Sequence, residues 1–170
     1  MSRLNSYFKD EFFNAIAADL FDEDNAVITE NGVIFKLLNL FGNEQFTAIG
    51  SISLEDRFND EDINTDFLDL SLVLAKDLDE NLIEEIGKRL YEINATYKSG
   101  VFFVDNGGNL CFESAFPILT SDVEASAALF TTMFEDVREV ISGIFPYLLR
   151  VVVTPEDCNF AEYVQALTAL

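Results

Sequence analysis

With 170 residues, 49% of them apolar and 17 of them Phe, the chain is of single-domain size and can build a substantial core, which separates it from acidic disordered proteins. Its 10 basic side chains against 31 acidic ones leave a formal net charge of −21, which repels nucleic-acid phosphates and anionic lipid; basic protein segments or cations remain as electrostatic partners, and solubility alone is the other use of such charge. There is no His, which removes Ser-His and Cys-His nucleophile pairs and the commonest ligand of zinc and iron.

The first helix is expected over residues 3 to 22, where Leu4, Phe8, Phe12, Ala15 or Ile16, and Leu20 recur at helical steps. Arg3, Lys9, Asp10 and Glu11 interrupt the apolar stretch that a signal peptide needs, and no apolar run is long enough to span a bilayer. Next, Asn31-Gly32 lies between Ala26 to Glu30 and Val33 to Phe41 and predicts a type I′ hairpin turn, because both residues tolerate positive φ. A turn at Gly42-Asn43-Glu44 leads into Gln45 to Leu54, whose Phe46, Ala48, Ile52 and Leu54 share a face and complete a three-stranded meander. Residues 55 to 66 read as a solvated connection. Phe67 to Ala75 alternates Leu68, Leu70, Leu72 and Leu74 against Asp69 and Ser71, the period of a strand with one wet face.

A second helix is predicted from about Glu80 to Tyr97, with Leu82, Ile86, Leu90, Ile93 and Tyr97 inward and Glu84/Lys88 and Glu85/Arg89 paired outside. Val101 to Asp105 and Leu110 to Phe116 form a hairpin turned by Asn106-Gly107-Gly108 and closed by Pro117. Ser121 to Glu124 has the form of a capping box for a third helix that buries Val123, Ala127, Phe130, Phe134, Val137 and Ile141. Pro146 is expected to kink or end this helix, Val151 to Val153 to be a short strand or extended link, and Thr154-Pro155 to start a final helix through Ala166.

Helices interrupting antiparallel strands without regular βαβ alternation give an α+β fold. The expected architecture is an antiparallel sheet of five to six strands with helices packed on it, in the order α-β-β-β-(β)-α-β-β-α plus a short C-terminal helix. It forms a single domain over residues 1–170, with a core unit at 1–150 and a helical tail at 151–170. Val33 to Phe41 and Val101 to Val104 are apolar on both alternating faces, so cover on both sides is expected.

Little in the chain points to catalysis. Cys111 and Cys158 stand in no paired motif, which suits a reducing compartment and a cytoplasmic location, and Cys111 has no basic neighbour in sequence to activate it. Gly107-Gly108 lacks the lysine of a phosphate loop. Asp60-x-Asp62-x-Asn64 matches the start of a calcium loop, but Thr65 replaces its turn glycine and Ser71 its bidentate glutamate.

The LDLSLVL strand at 68–74, the helix ending Leu90-Tyr91-Glu92-Ile93-Asn94, and the hairpin VFFVDNGGNLCFESAF before the long helix together resemble the YbjN-type family, which is similar in fold to type III secretion chaperones. The resemblance runs from Leu68 to about Leu149 in these motifs and over most of the chain in topology. It implies a small α+β protein that often pairs as a dimer and has no established catalytic residues to carry over; secretion chaperones, which are also small and acidic, hold partly extended clients against apolar surface. Asn94 matches the family's helix-end asparagine, for which a C-terminal capping role is the alternative reading. The chain departs from the family beyond Arg150.

The expectation is therefore a non-catalytic protein-binding, chaperone-like or regulatory protein, a homodimer with a protein partner or client segment and with no cofactor, metal or small molecule. Its apolar sheet face or strand edge would make the contact, through Phe35, Leu37, Phe41, Phe102 and Val104, residue types that are more often ordinary core. A carboxylate- or divalent-metal-dependent enzyme is the alternative from another class, and an orphan domain of unread function is the third.

Overall fold

The structure, a computed structural model, describes residues 6–38, 47–55 and 65–168. In chain order it contains α1 (Ser6–Leu20), β1 (Ala26–Thr29), β2 (Gly32–Leu38), β3 (Thr47–Glu55), β4 (Thr65–Ala75), α2 (Ile83–Thr96), β5 (Val101–Val104), β6 (Leu110–Leu119), α3 (Val123–Val153) and α4 (Phe160–Thr168). The strands form one 6-stranded sheet in the order β1-β2-β3-β4-β6-β5, with every neighbouring pair antiparallel. The α+β class and the expected element order are both present. None of the described helices is long and apolar enough to cross a membrane.

The alternation read in β4 sets the centre of the sheet. Leu68, Leu70, Leu72 and Leu74 are buried, and across the ladders Leu68 faces Phe116, Leu72 faces Phe112 and Leu70 faces Ile52. Above this face α1 and α3 supply a ring cluster, with Phe12 6.5 Å from Phe130 and Phe134 5.9 Å from Phe35 between centroids. Each fully buried ring of this kind contributes roughly 2 to 3 kcal/mol, so the cluster outweighs any single loop preference. Gly50, opposite both Phe35 and Leu72 in the register, leaves room for them: a Cβ there would lie 2.5 Å from Phe35 Cε2 and 2.7 Å from Leu72 Cδ2.

Several local expectations are corrected. The β1–β2 turn consists of Glu30-Asn31, closed by the pair Thr29 and Gly32, and among the described residues only Asp77 and Gly108 have positive φ. Gly32 is required for a different reason: a Cβ there would collide with the carbonyl oxygen of Ile52 on β3. Asp122, one residue later than the anticipated serine, caps α3 by accepting the Ala125 N–H at 2.9 Å. That helix continues through Pro146 to Val153, so Val151 to Val153 is helical and neither strand nor link. Pro146 is exposed, while Ile144, Phe145, Tyr147, Leu148 and Val151 around it are buried. Their burial exceeds the roughly 3 kcal/mol that an interior proline costs. Thr154-Pro155 opens only a short 3-10 turn; α4 starts later, where Asn159 accepts the Glu162 N–H at 3.3 Å and donates to the Glu162 carboxylate at 3.0 Å.

The expectation of two-sided cover is also corrected. In β2, Val33, Phe35 and Leu37 are buried whereas Ile34 is 52% exposed, and in β5 Phe102 is buried whereas Val101 is 52% exposed. The buried side chains of β2 to β6 lie on one face, with Cys111 the exception, and the helices pack on that face. The opposite face meets solvent, as an antiparallel sheet permits.

Candidate functional site

The two strands of the last hairpin differ in length, and the difference creates a free edge. β5 pairs only with Leu110 to Glu113, while β6 continues to Leu119 with β4 paired along its other side. At the far end the Leu119 N–H donates to Ser126 Oγ at 2.9 Å, and the Ser126 hydroxyl donates back to the Leu119 carbonyl at 2.8 Å. Ser126 is a buried polar residue, and this bond pair satisfies it. Because the polar groups of Leu119 point away from β4, those of Pro117 and Ala115 do so too, since alternate residues of an antiparallel strand face the same side. Proline at 117 is therefore tolerated: the N–H it lacks belongs to the edge and not to the ladder with β4.

On the near side the edge is closed again. Asn94, in the last turn of α2, donates from Nδ2 to the Phe102 carbonyl at 2.8 Å and accepts the Phe102 N–H on Oδ1 at 2.8 Å. Its amide imitates a neighbouring strand along the outer side of β5. The Asn94 reading as a helix cap is corrected accordingly, since the C-cap of α2 is Tyr97. Between these two side-chain clamps, the Ala115 N–H and carbonyl and the Pro117 carbonyl have no partner among the described residues.

Beside this stretch lies a cleft of about 800 Å³. β6 contributes Glu113, Ser114, Ala115 and Phe116; α3 contributes Met133, Asp136, Val137 and Val140; the segment from Lys98 to Val101 forms the remaining wall, and Asp69, Leu70 and Ser71 of β4 complete the lining. The Ser114 hydroxyl donates to the Ser99 carbonyl and fixes that segment against the strand. Phe116 is fully buried at the base, and Met133 is partly buried against the core. The cleft thus offers an apolar wall, an acidic rim and backbone groups without partners among the described residues.

A second concavity of about 620 Å³ lies between α2 and α4, lined in part by Tyr91, Ala95, Phe160 and Val164. Its cation is already engaged: Arg89 donates to the Pro155 carbonyl at 3.0 Å, to Glu92 at 2.8 Å and to Glu85 at 2.7 Å. Those bonds anchor the C-terminal segment onto α2.

The contact residues proposed from sequence are placed differently. Phe35 and Phe102 are 1% and 2% exposed, Leu37 is buried, and Val104 is half-buried against the core. Phe35 stacks on Phe21 at 4.3 Å and Phe102 meets Phe112 at 4.9 Å, so they are core rings and not a partner surface. Phe41 and the Asp60-x-Asp62-x-Asn64 run lie outside the described residues. Among the described residues no group of three or more His, Cys, Asp or Glu is placed to hold a metal ion.

Neither cysteine is activated. Burial, followed by the charge of Asp105, pushes the Cys111 thiol up to about 11, and its Sγ lies 3.8 Å from the Asp105 carboxylate. Burial likewise raises Cys158, whose Sγ lies 3.4 Å from the Thr154 carbonyl. The cleft itself was missed at the level of sequence, although a signal existed: a four-residue VFFV opposite a ten-residue LCFESAFPIL leaves part of the longer strand unpaired. No protein-family model matches this chain, and no curated protein matches it.

Proposed function

We propose that this is a non-catalytic protein-binding protein, chaperone-like or regulatory, that holds an extended segment of a protein partner in the cleft beside β6. The observation that carries this reading is the stretch at Ala115 and Pro117, unpaired among the described residues and bounded on either side by the Ser126 and Asn94 clamps. Sheet edges invite pairing, and here the flanking edge is closed by side chains while the part beside an apolar wall is left open. A strand added there gains backbone hydrogen bonds worth about 0.5 to 1.5 kcal/mol each and buries apolar surface against α3.

The reading includes pairing of two copies in a reducing cytoplasm, for which exposed Val27, Ile34 and Ile49 on the uncovered sheet face supply apolar area. Sedimentation that shows a monomer across the accessible concentration range removes that part. For the binding role, the test is affinity capture from the native cell with the unaltered chain beside Met133→Arg and Val140→Lys chains, each verified as folded by circular dichroism. Partners captured by the unaltered chain are expected to be lost with both variants. Identical recovery from all three chains refutes the cleft as the binding site.

A further inference from the structure

We infer that the cleft selects a segment in which apolar and basic residues alternate, a deepening that rests on the strand-addition reading above. Side chains of an added strand point alternately toward α3 and toward the uncovered face of the sheet. On the α3 side, the neighbours are the Phe116 ring, Met133 and Val137, which accept an apolar side chain. On the other side, the neighbours on β6 are Glu113, Ala115 and Pro117.

Glu113 is exposed, with one 3.5 Å contact from the Ser71 hydroxyl, and a carboxylate beside an added strand favours a cation at the facing or diagonal position. At the rim, Asp136 is exposed and makes no hydrogen bond or ion pair among the described residues. Among the described residues the one basic side chain lining the cleft, Lys98, donates to the Ala95 carbonyl at 3.0 Å. The net charge of −21 adds a long-range field of the same sign. An acidic segment, or the same edge of a second copy of this chain, meets repulsion at Glu113, at Asp136 and from the net field.

Pro117 limits the pairing. It accepts but cannot donate, so the bound stretch is short and side-chain chemistry has to supply the selectivity.

The test uses the full chain and a short fluorescein-labelled peptide of alternating valine and lysine, read by anisotropy. Three further probes accompany it: valine with glutamate, serine with lysine, and the valine-lysine peptide in raised salt. Binding of the valine-lysine peptide alone is expected, weakened by salt and weakened about tenfold by Ala115→Pro, which removes the edge-facing N–H and no hydrogen bond of the ladder to β4. Glu113→Lys combined with Asp136→Lys is expected to weaken it by at least as much. Equal binding of the serine-lysine peptide reduces the effect to bulk attraction and overturns the inference. Binding of the valine-glutamate peptide, or indifference to Ala115→Pro in a chain of unchanged melting temperature, overturns it also. A dimer of this chain that Ala115→Pro dissolves names a second copy as the occupant and has the same result. If no peptide binds while Met133→Arg and Val140→Lys still abolish cellular capture, the segment chemistry falls and the binding role stands; if capture is unaffected as well, both fall.

Discussion

Asn94 does at the rim of the sheet what another strand does in its interior, by presenting one donor and one acceptor to the backbone of Phe102. Replacing it with Ala leaves that N–H and carbonyl without partners, so Asn94→Ala is expected to cost about 2 kcal/mol in urea denaturation. At neutral pH Asn94→Asp keeps the acceptor but turns a carboxylate oxygen toward the Phe102 carbonyl, and a loss comparable to that of the alanine is expected. The hairpin turn depends on Asp105, whose carboxylate accepts from the Asn109 side chain, the Asn109 N–H and the Gly107 N–H. These bonds, the Asn109 side chain first, hold its pKa below the usual aspartate range. The resulting stability is present above the unfolded value of about 3.9 and is lost as pH falls through the lower folded value. The stability difference between the natural chain and Asp105→Asn is therefore expected to be full at neutral pH and to shrink below about pH 4. Cys111 runs the other way. Its raised pKa favours the thiol, so this contribution is complete below the unfolded value of about 8.5 and disappears as pH rises toward about 11. Iodoacetamide at mildly alkaline pH is expected to label Cys111 in urea and hardly at all in the folded chain.

At the scale of elements, close backbone approach and burial decide where local preference does not. Gly32 lies where β2 meets Ile52 of β3 so closely that a methyl group has no room, and the obstacle is backbone that cannot rotate aside. Gly32→Ala is expected to destabilise by more than about 2 kcal/mol, with the earliest loss of amide-exchange protection in β1 and β2. Pro146 gives the opposite case. It is exposed and offers no N–H to the ladder of α3, so Pro146→Ala is expected to stabilise the chain by about 1 to 3 kcal/mol in thermal or urea unfolding. No gain would mean that the helix is bent at 146 in a way its packing needs. α3 tolerates the proline because it is pinned at both ends of its length: Phe130 and Phe134 meet the sheet and α1, and Tyr147 meets Phe160 and Tyr163, each at 5.2 Å.

For the molecule as a whole, charge and core oppose each other. A formal charge of −21 on one 6-stranded sheet with its helices repels itself, and the apolar layer between helices and sheet holds against that repulsion. Raising ionic strength from about 0.01 M to about 0.15 M shortens the screening length from about 30 Å to about 8 Å, and the melting temperature is expected to rise across that range. A flat response would mean that the acids are spread widely enough to leave one another alone. The same field acts on partners, so the on-rate of a basic segment is expected to fall with salt while stability rises.

Side-chain periodicity is local, and what it encodes was legible without coordinates. Leu68 to Leu74 alternate at every second residue, and Ile86, Leu90 and Ile93 recur at helical spacing, so strand, helix, their order and the α+β class follow from neighbours in the chain. Other features rest on partners far away in sequence. Whether Phe35 and Phe102 were core or surface depended on which face the helices cover, and alternation alone cannot say on which side of a sheet water lies. The turn at Glu30-Asn31 follows from the register that Gly32 shares with β3, and the passage of α3 through Pro146 follows from the residues buried around it. The cleft exists because β4 carries β6 past the end of β5 while α3 passes alongside, a coincidence of register and packing that only the assembled tertiary structure brings about.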